Sequence, residues 1–160
     1  MTLSSILQWL ERVILGPAPT PAPPSPTPPP PPPAPPQVTA LVAAINVQRA
    51  AYSLCPLAES GTLDTLAHSR SESMAAMGGL SDAGFNLQVV PQLAGLFPGY
   101  AAAAENVAEG QPDVASVIDA WMNSLPHRAN ILGPYNLIGA GIVTDASGRV
   151  WWTNLFVAQR

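Results

Sequence analysis

Residues 121–132 read Trp-Met-Asn-Ser-Leu-Pro-His-Arg-Ala-Asn-Ile-Leu and hold His127, one of two histidines in the chain. Imidazole changes charge near neutral pH, so it can move a proton or ligate a metal. Trp121 and Met122 end a helical pattern that begins near Asp113, and Asn123 and Ser124 suit a helix stop followed by a cap. Pro126 suits the start of a second short helix, where its missing N–H is not needed. His127 therefore stands in the first turn after a sharp corner, placed either to face a cleft or to hold the corner by hydrogen bonds. The second histidine, His68, falls inside a helical stretch and reads as a structural hydrogen-bonder. Glu105, followed by Asn106, is the next group able to do acid–base chemistry, or equally to cap nearby N–H groups. Cys55, before Pro56 at a helix end, reads as a small buried apolar residue. Ser69 and Ser81 lie on no strand–turn–helix elbow, so a serine hydrolase is a poor reading.

The elements that must position these groups begin at Gln37. Val38, Leu41, Val42, Ile45 and Arg49 mark a helix to about Leu54, stopped by Pro56. A second helix is expected from about Ser60 to Met77, with Leu63, Leu66, Ala67, Met74 and Met77 facing inward and Gly78-Gly79 ending it. Residues 86–97 read as irregular with some helix, broken by Pro91 and Pro98. Residues 104–107 read as a short extended piece and Asp113–Asn123 as a third helix. Residues 138–144 and 150–157 alternate as strands around the Asp145-Ala146-Ser147-Gly148 turn, which predicts an antiparallel hairpin.

Residues 1–16 and 17–36 differ from the rest. Leu3, Ile6, Leu7, Leu10, Val13 and Ile14 recur at helical spacing and make one apolar stripe. Such a helix is roughly 20 Å long, too short to cross a membrane of ~30 Å. Without a positive start, and with Glu11 and Arg12 interrupting it, the segment does not read as a cleaved secretory signal. Its stripe calls for a cover, and with only Arg12 as a basic residue the expected cover is protein, by docking to an assembly or self-association through residues 3–15. Residues 17–36 hold 14 of the chain's 20 prolines and predict a semi-rigid polyproline II spacer. The expected organisation is thus a docking helix over 1–16, a linker over 17–36 and a globular domain over 37–160.

Charged residues make up 10% of the 160-residue chain, lysine is absent and the net charge is −4. With no basic face, nucleic acid is excluded as a partner. One cysteine excludes a disulfide framework, and no apolar run is long enough to span a bilayer.

The globular part resembles the CAP superfamily of cysteine-rich secretory, antigen 5 and pathogenesis-related proteins, in its bacterial branch. The resemblance rests on Ile45-Asn46-Val47-Gln48-Arg49, Pro56-Leu57, Ala67-His68-Ser69 with Met74-Ala75, Gly79-Leu80-Ser81, Glu105-Asn106-Val107-Ala108, the 121–132 stretch, Ile138-Gly139-Ala140-Gly141 and Trp152-Thr153-Asn154-Leu155-Phe156. It implies an α+β fold, an α-β-α sandwich, with a cleft lined by histidines and glutamates. Glu105 and His127 fall on two cleft positions of the family. Asp82 stands where this branch normally carries a histidine after Leu-Ser, and the family's glycine after the proline of that corner is absent, since Pro126 precedes His127 directly. One imidazole with two carboxylates, Asp82, Glu105 and His127, suits Mg, Ca or Mn better than zinc, or leaves the cleft without an ion. The resemblance leaves three functions open. The first is a non-enzymatic binding or structural module, extracellular or surface-exposed, on a virion or cell-surface appendage. The second is a peptidase-like hydrolase using Glu105 and His127, and the third is lipid or sterol carriage in a groove along residues 87–97.

Overall fold

A computed structural model describes residues 36–81 and 83–160. The expected docking helix over 1–16 and the spacer up to residue 35 lie outside the described residues, as does Asp82. The elements are α1 (Pro36–Ala51), β1 (Ala58–Glu59), α2 (Gly61–Met77), a π-helical turn (Phe85–Val89), α3 (Val90–Leu96), β2 (Ala102–Glu109), α4 (Val114–Met122), α5 (Leu125–Ile131), β3 (Leu137–Thr144) and β4 (Val150–Ala158). The four strands form one sheet in the order β1-β3-β4-β2. The β3–β4 hairpin and the β2–β4 pair are antiparallel, whereas β1 runs parallel to β3.

β4 is buried along nearly its whole length because helices cover both faces of the sheet. On one side Trp152 and Phe156 pack with Leu41, Ile45, Val117 and Trp121. On the other, Leu155 and Val157 pack with Leu63, Leu66, Val89 and Leu93. This is the α-β-α sandwich, with Trp121 and Phe156 buried as expected.

α2 lies against the sheet at very short range. A Cβ at Gly139 would fall 2.3 Å from the Leu63 backbone, and one at Gly141 would fall 2.2 Å from that of Ala67. Their bare backbones let polar groups of the helix reach the strand directly. Ser71 Oγ donates to the Gly141 carbonyl at 3.0 Å and shares a 2.8 Å hydrogen bond with Thr153. Asp64 Oδ1 accepts from the Ala140 amide at 2.8 Å. Ser60 N still bonds the Ile138 carbonyl, but the chain then turns into α2, so Asp64 takes the place of the next ladder partner.

Several local details depart from the sequence reading. Pro91 opens α3 instead of breaking a helix. β2 is eight residues long, paired along its length with β4. Met77 is exposed, since it lies on the last turn before Gly78 takes a left-handed φ of 67° and ends the helix. Cys55 is exposed, not buried, because the chain there runs over the surface to deliver its carbonyl to Arg49 Nε at 2.9 Å.

Candidate functional site

The corner at residues 123–127 forms as its residue types require. Asn123 closes α4, and Ser124 takes an extended conformation (φ −102°, ψ 118°) as the N-cap of α5, with Pro126 in the first turn. Ser124 Oγ makes no capping bond to the backbone; it lies 2.9 Å from His127 Nδ1 in a hydrogen bond that orients the imidazole. Two carboxamides then bind this helix to β2. Asn106 Nδ2 donates to the His127 carbonyl at 3.0 Å. Asn130 Nδ2 donates to the Glu105 carbonyl at 3.0 Å and to Asn106 Oδ1 at 2.9 Å. The backbones at Glu105 and His127 are thereby held to one edge of the domain. Arg49, 3% exposed, fixes the far end of α5 by donating from Nη1 to the carbonyls of Ile131 and Gly133, a favourable place for a cation at a helix C-terminus.

The Glu105 side chain faces α2. Its carboxylate meets the Arg70 guanidinium, Nε to Oε1 at 3.0 Å and Nη2 to Oε2 at 3.5 Å. The two side chains are only 6% and 1% exposed, respectively. Arg70 Nη2 also donates to the Ser81 carbonyl. Gly84 closes over the guanidinium, where a Cβ would lie 2.3 Å from Arg70 Cζ. Arg70 was not singled out from the sequence. Its signal was nonetheless present: the buried residues Leu63, Leu66, Ala67, Arg70, Ser71 and Met74 follow one helical stripe that runs through the arginine.

The Arg70 guanidinium balances the charge of the Glu105 carboxylate, and Asp82, the third residue of the expected cleft set, lies outside the described residues. Among the described residues no group of three His, Cys, Asp or Glu is placed to hold a metal. His68, expected to be a structural hydrogen-bonder, has a side chain 54% exposed, with Nε2 3.6 Å from the Glu72 carboxylate one helical turn on.

Elsewhere Asp145 organises the hairpin turn. It accepts from the Ser147 hydroxyl at 2.5 Å and from Trp151 Nε1 at 2.8 Å, contacts that hold its carboxyl well below the usual range. Burial has the opposite effect on Asp64. It pushes the carboxyl up to about 6 despite the Ala140 hydrogen bond, with Glu59 adding a smaller like-charge effect.

Comparison with known proteins accords with this geometry. Residues 42–158 match the model of the cysteine-rich secretory protein family, CAP. The Bacillus subtilis (strain 168) protein YkwD is 33% identical over 127 residues, covering 74% of this chain and 46% of that protein; the chain thus spans about half the length of the relative. An outer surface protein of Borrelia burgdorferi superposes with a TM-score of 0.67 at 18% identity, over 76% of this chain and 92% of that one. An extracellular protein of Bacillus anthracis containing an SCP domain does so with 0.67 at 22%, over 77% and 40%. A cysteine-rich secretory protein of Staphylococcus aureus gives 0.65 at 23%, over 77% and 38%. With more than half its length matched by the family model, the chain belongs to the CAP, or cysteine-rich secretory protein, family.

Proposed function

We propose that this chain is a non-enzymatic CAP-type binding and structural module, displayed at an outer surface and carried there by its N-terminal segment. The observation that carries the reading is the buried Arg70–Glu105 pair. The carboxylate a hydrolase would use as its base is ion-paired at 3.0 Å and 6% exposed. A general base must reach the proton it removes, and this carboxylate is nearly closed to solvent and held by Arg70. Surface display is supported by the printed descriptions of the Borrelia and Bacillus anthracis proteins as outer surface and extracellular. No helix among the described residues is long and apolar enough to cross a membrane; the proposed attachment is the apolar stripe of residues 3–15, with residues 17–36 as a spacer.

The test sets activity against attachment. The full chain, incubated with a peptide library with and without added divalent ions, is expected to leave it intact. Cleavage that disappears in Glu105→Gln would establish the hydrolase reading instead.

A further inference from the structure

An open groove of about 420 Å³ runs between α2 on one side and the π-helical turn with the start of α3 on the other. Its size falls within the roughly 300–1,000 Å³ of ligand sites, and neither Glu105 nor His127 lines it. The α2 wall carries Ser69 and Ser73, and the facing wall carries Gln88 and Gln92. Ser69, Gln88 and Gln92 are exposed and Ser73 is half-buried, so all four side chains are open to a ligand. In each pair the later residue bonds back to the earlier one. Ser73 Oγ donates to the Ser69 carbonyl at 2.9 Å, and Gln92 Nε2 donates to the Gln88 carbonyl at 2.7 Å. Ser73 Oγ and Gln92 Oε1 keep their capacity to accept, while the Ser69 hydroxyl and the Gln88 carboxamide can each donate and accept. Leu87, 76% exposed, and the exposed Pro91 stand beside these groups. Arg70 borders the groove too, but its side chain is 1% exposed and held by Glu105, out of a ligand's reach. In the π-helical turn the Val90 N–H bonds the Phe85 carbonyl five residues back, an arrangement that is rare and frequent at functional positions.

We propose that this groove binds a neutral saccharide, with ring hydroxyls on Ser69, Ser73, Gln88 and Gln92 and a C–H face of the ring on Leu87 and Pro91. A sugar hydroxyl donates and accepts at once, as the facing hydroxyls and carboxamides require. The ligand is uncharged because no ionised side chain within its reach would balance a charge. An acyl chain, the occupant expected for a lipid groove along residues 87–97, would cover the four polar side chains without bonding them. The inference goes beyond the display reading above and stands without it.

The test is an amide-shift NMR titration of the isotopically labelled full chain with chitobiose, cellobiose and palmitate. The two disaccharides separate an N-acetylated glycan from a plain glucan. Saturable shifts at residues 69–73 and 87–92 are expected with at least one of them, at a dissociation constant of about 1 mM, as befits a few water-exposed hydrogen bonds. Gln88→Ala with Gln92→Ala alters only exposed side chains and is expected to weaken binding about tenfold or more while the remaining spectrum is unchanged. His68→Ala changes an exposed residue of α2 outside the lining and is expected to bind normally. The proposal is overturned if neither disaccharide saturates at these residues, if palmitate binds there as tightly, if the double variant binds like the natural chain, or if His68→Ala loses binding.

Discussion

Removing either member of the Arg70–Glu105 pair takes the counter-charge from the other in a place nearly closed to water. Such a loss typically costs about 3–5 kcal/mol, whereas replacing both partners by apolar residues of similar size is often nearly neutral. Arg70→Met and Glu105→Leu, each alone, are therefore expected to lower the urea midpoint sharply, and the double variant to regain most of the loss. Equal and additive losses would mean that the two side chains do not act as a pair. Asp64 has a pH signature of its own. Its folded value of about 6 lies above the ordinary carboxyl value of 3.8, so the folded state holds the proton more tightly. The resulting stability is complete below about pH 4 and is lost as pH rises through 6. Because the group is partly open to solvent, the effect should be on the order of 1–2 kcal/mol. Asp64→Asn keeps an acceptor for the Ala140 amide and should flatten the melting temperature between pH 4 and 7.

At the scale of elements, the seating of α2 on β3 depends on two absent side chains. Gly141→Val would drive a branched group into the Ala67 backbone, 2.2 Å from the new Cβ, where nothing flexible can yield. A loss of at least about 1–3 kcal/mol is expected by chemical denaturation, accompanied by displacement of α2. Much of this level was legible from local chemistry. Ser60 caps α2 and Gly78 ends it, Asp113 caps α4 through the Ser116 amide at 2.8 Å, and the hairpin forms around residues 145–148. Each of these is decided within four residues of chain. What was not legible depends on distant partners. β1 is two residues long and exists only because β3 is beside it. The π-helical turn is anchored by its own Val89, which packs into the cluster of Leu63, Leu66 and Leu155. In the candidate site, the corner at His127 was readable from Asn123, Ser124 and Pro126. The commitment of Glu105 was not, because its partner lies 35 residues earlier on another layer.

At the scale of the whole molecule, the proposed attachment runs through residues 3–15. Burying the six apolar side chains of the 3–15 stripe would contribute on the order of 9–18 kcal/mol before ordering costs, enough to hold a helix in a partner's groove. Leu7→Asp with Leu10→Asp is expected to give a folded monomer by sedimentation where the natural chain self-associates or remains with its assembly. A natural chain that sediments as a monomer at high concentration would contradict self-association. Calorimetric titration with zinc should give little heat with the natural sequence and a stronger site in Asp82→His; tight binding by the natural chain would contradict the cleft reading. The Ala140 amide, finally, offers a way to watch the domain breathe. Its proton is held by a helix side chain instead of a neighbouring strand, so fraying of the sheet alone does not release it. Its hydrogen exchange should therefore report the rate at which the helical layer lifts from the sheet, and acid conditions that protonate Asp64 should change that single protection factor before those of its strand neighbours.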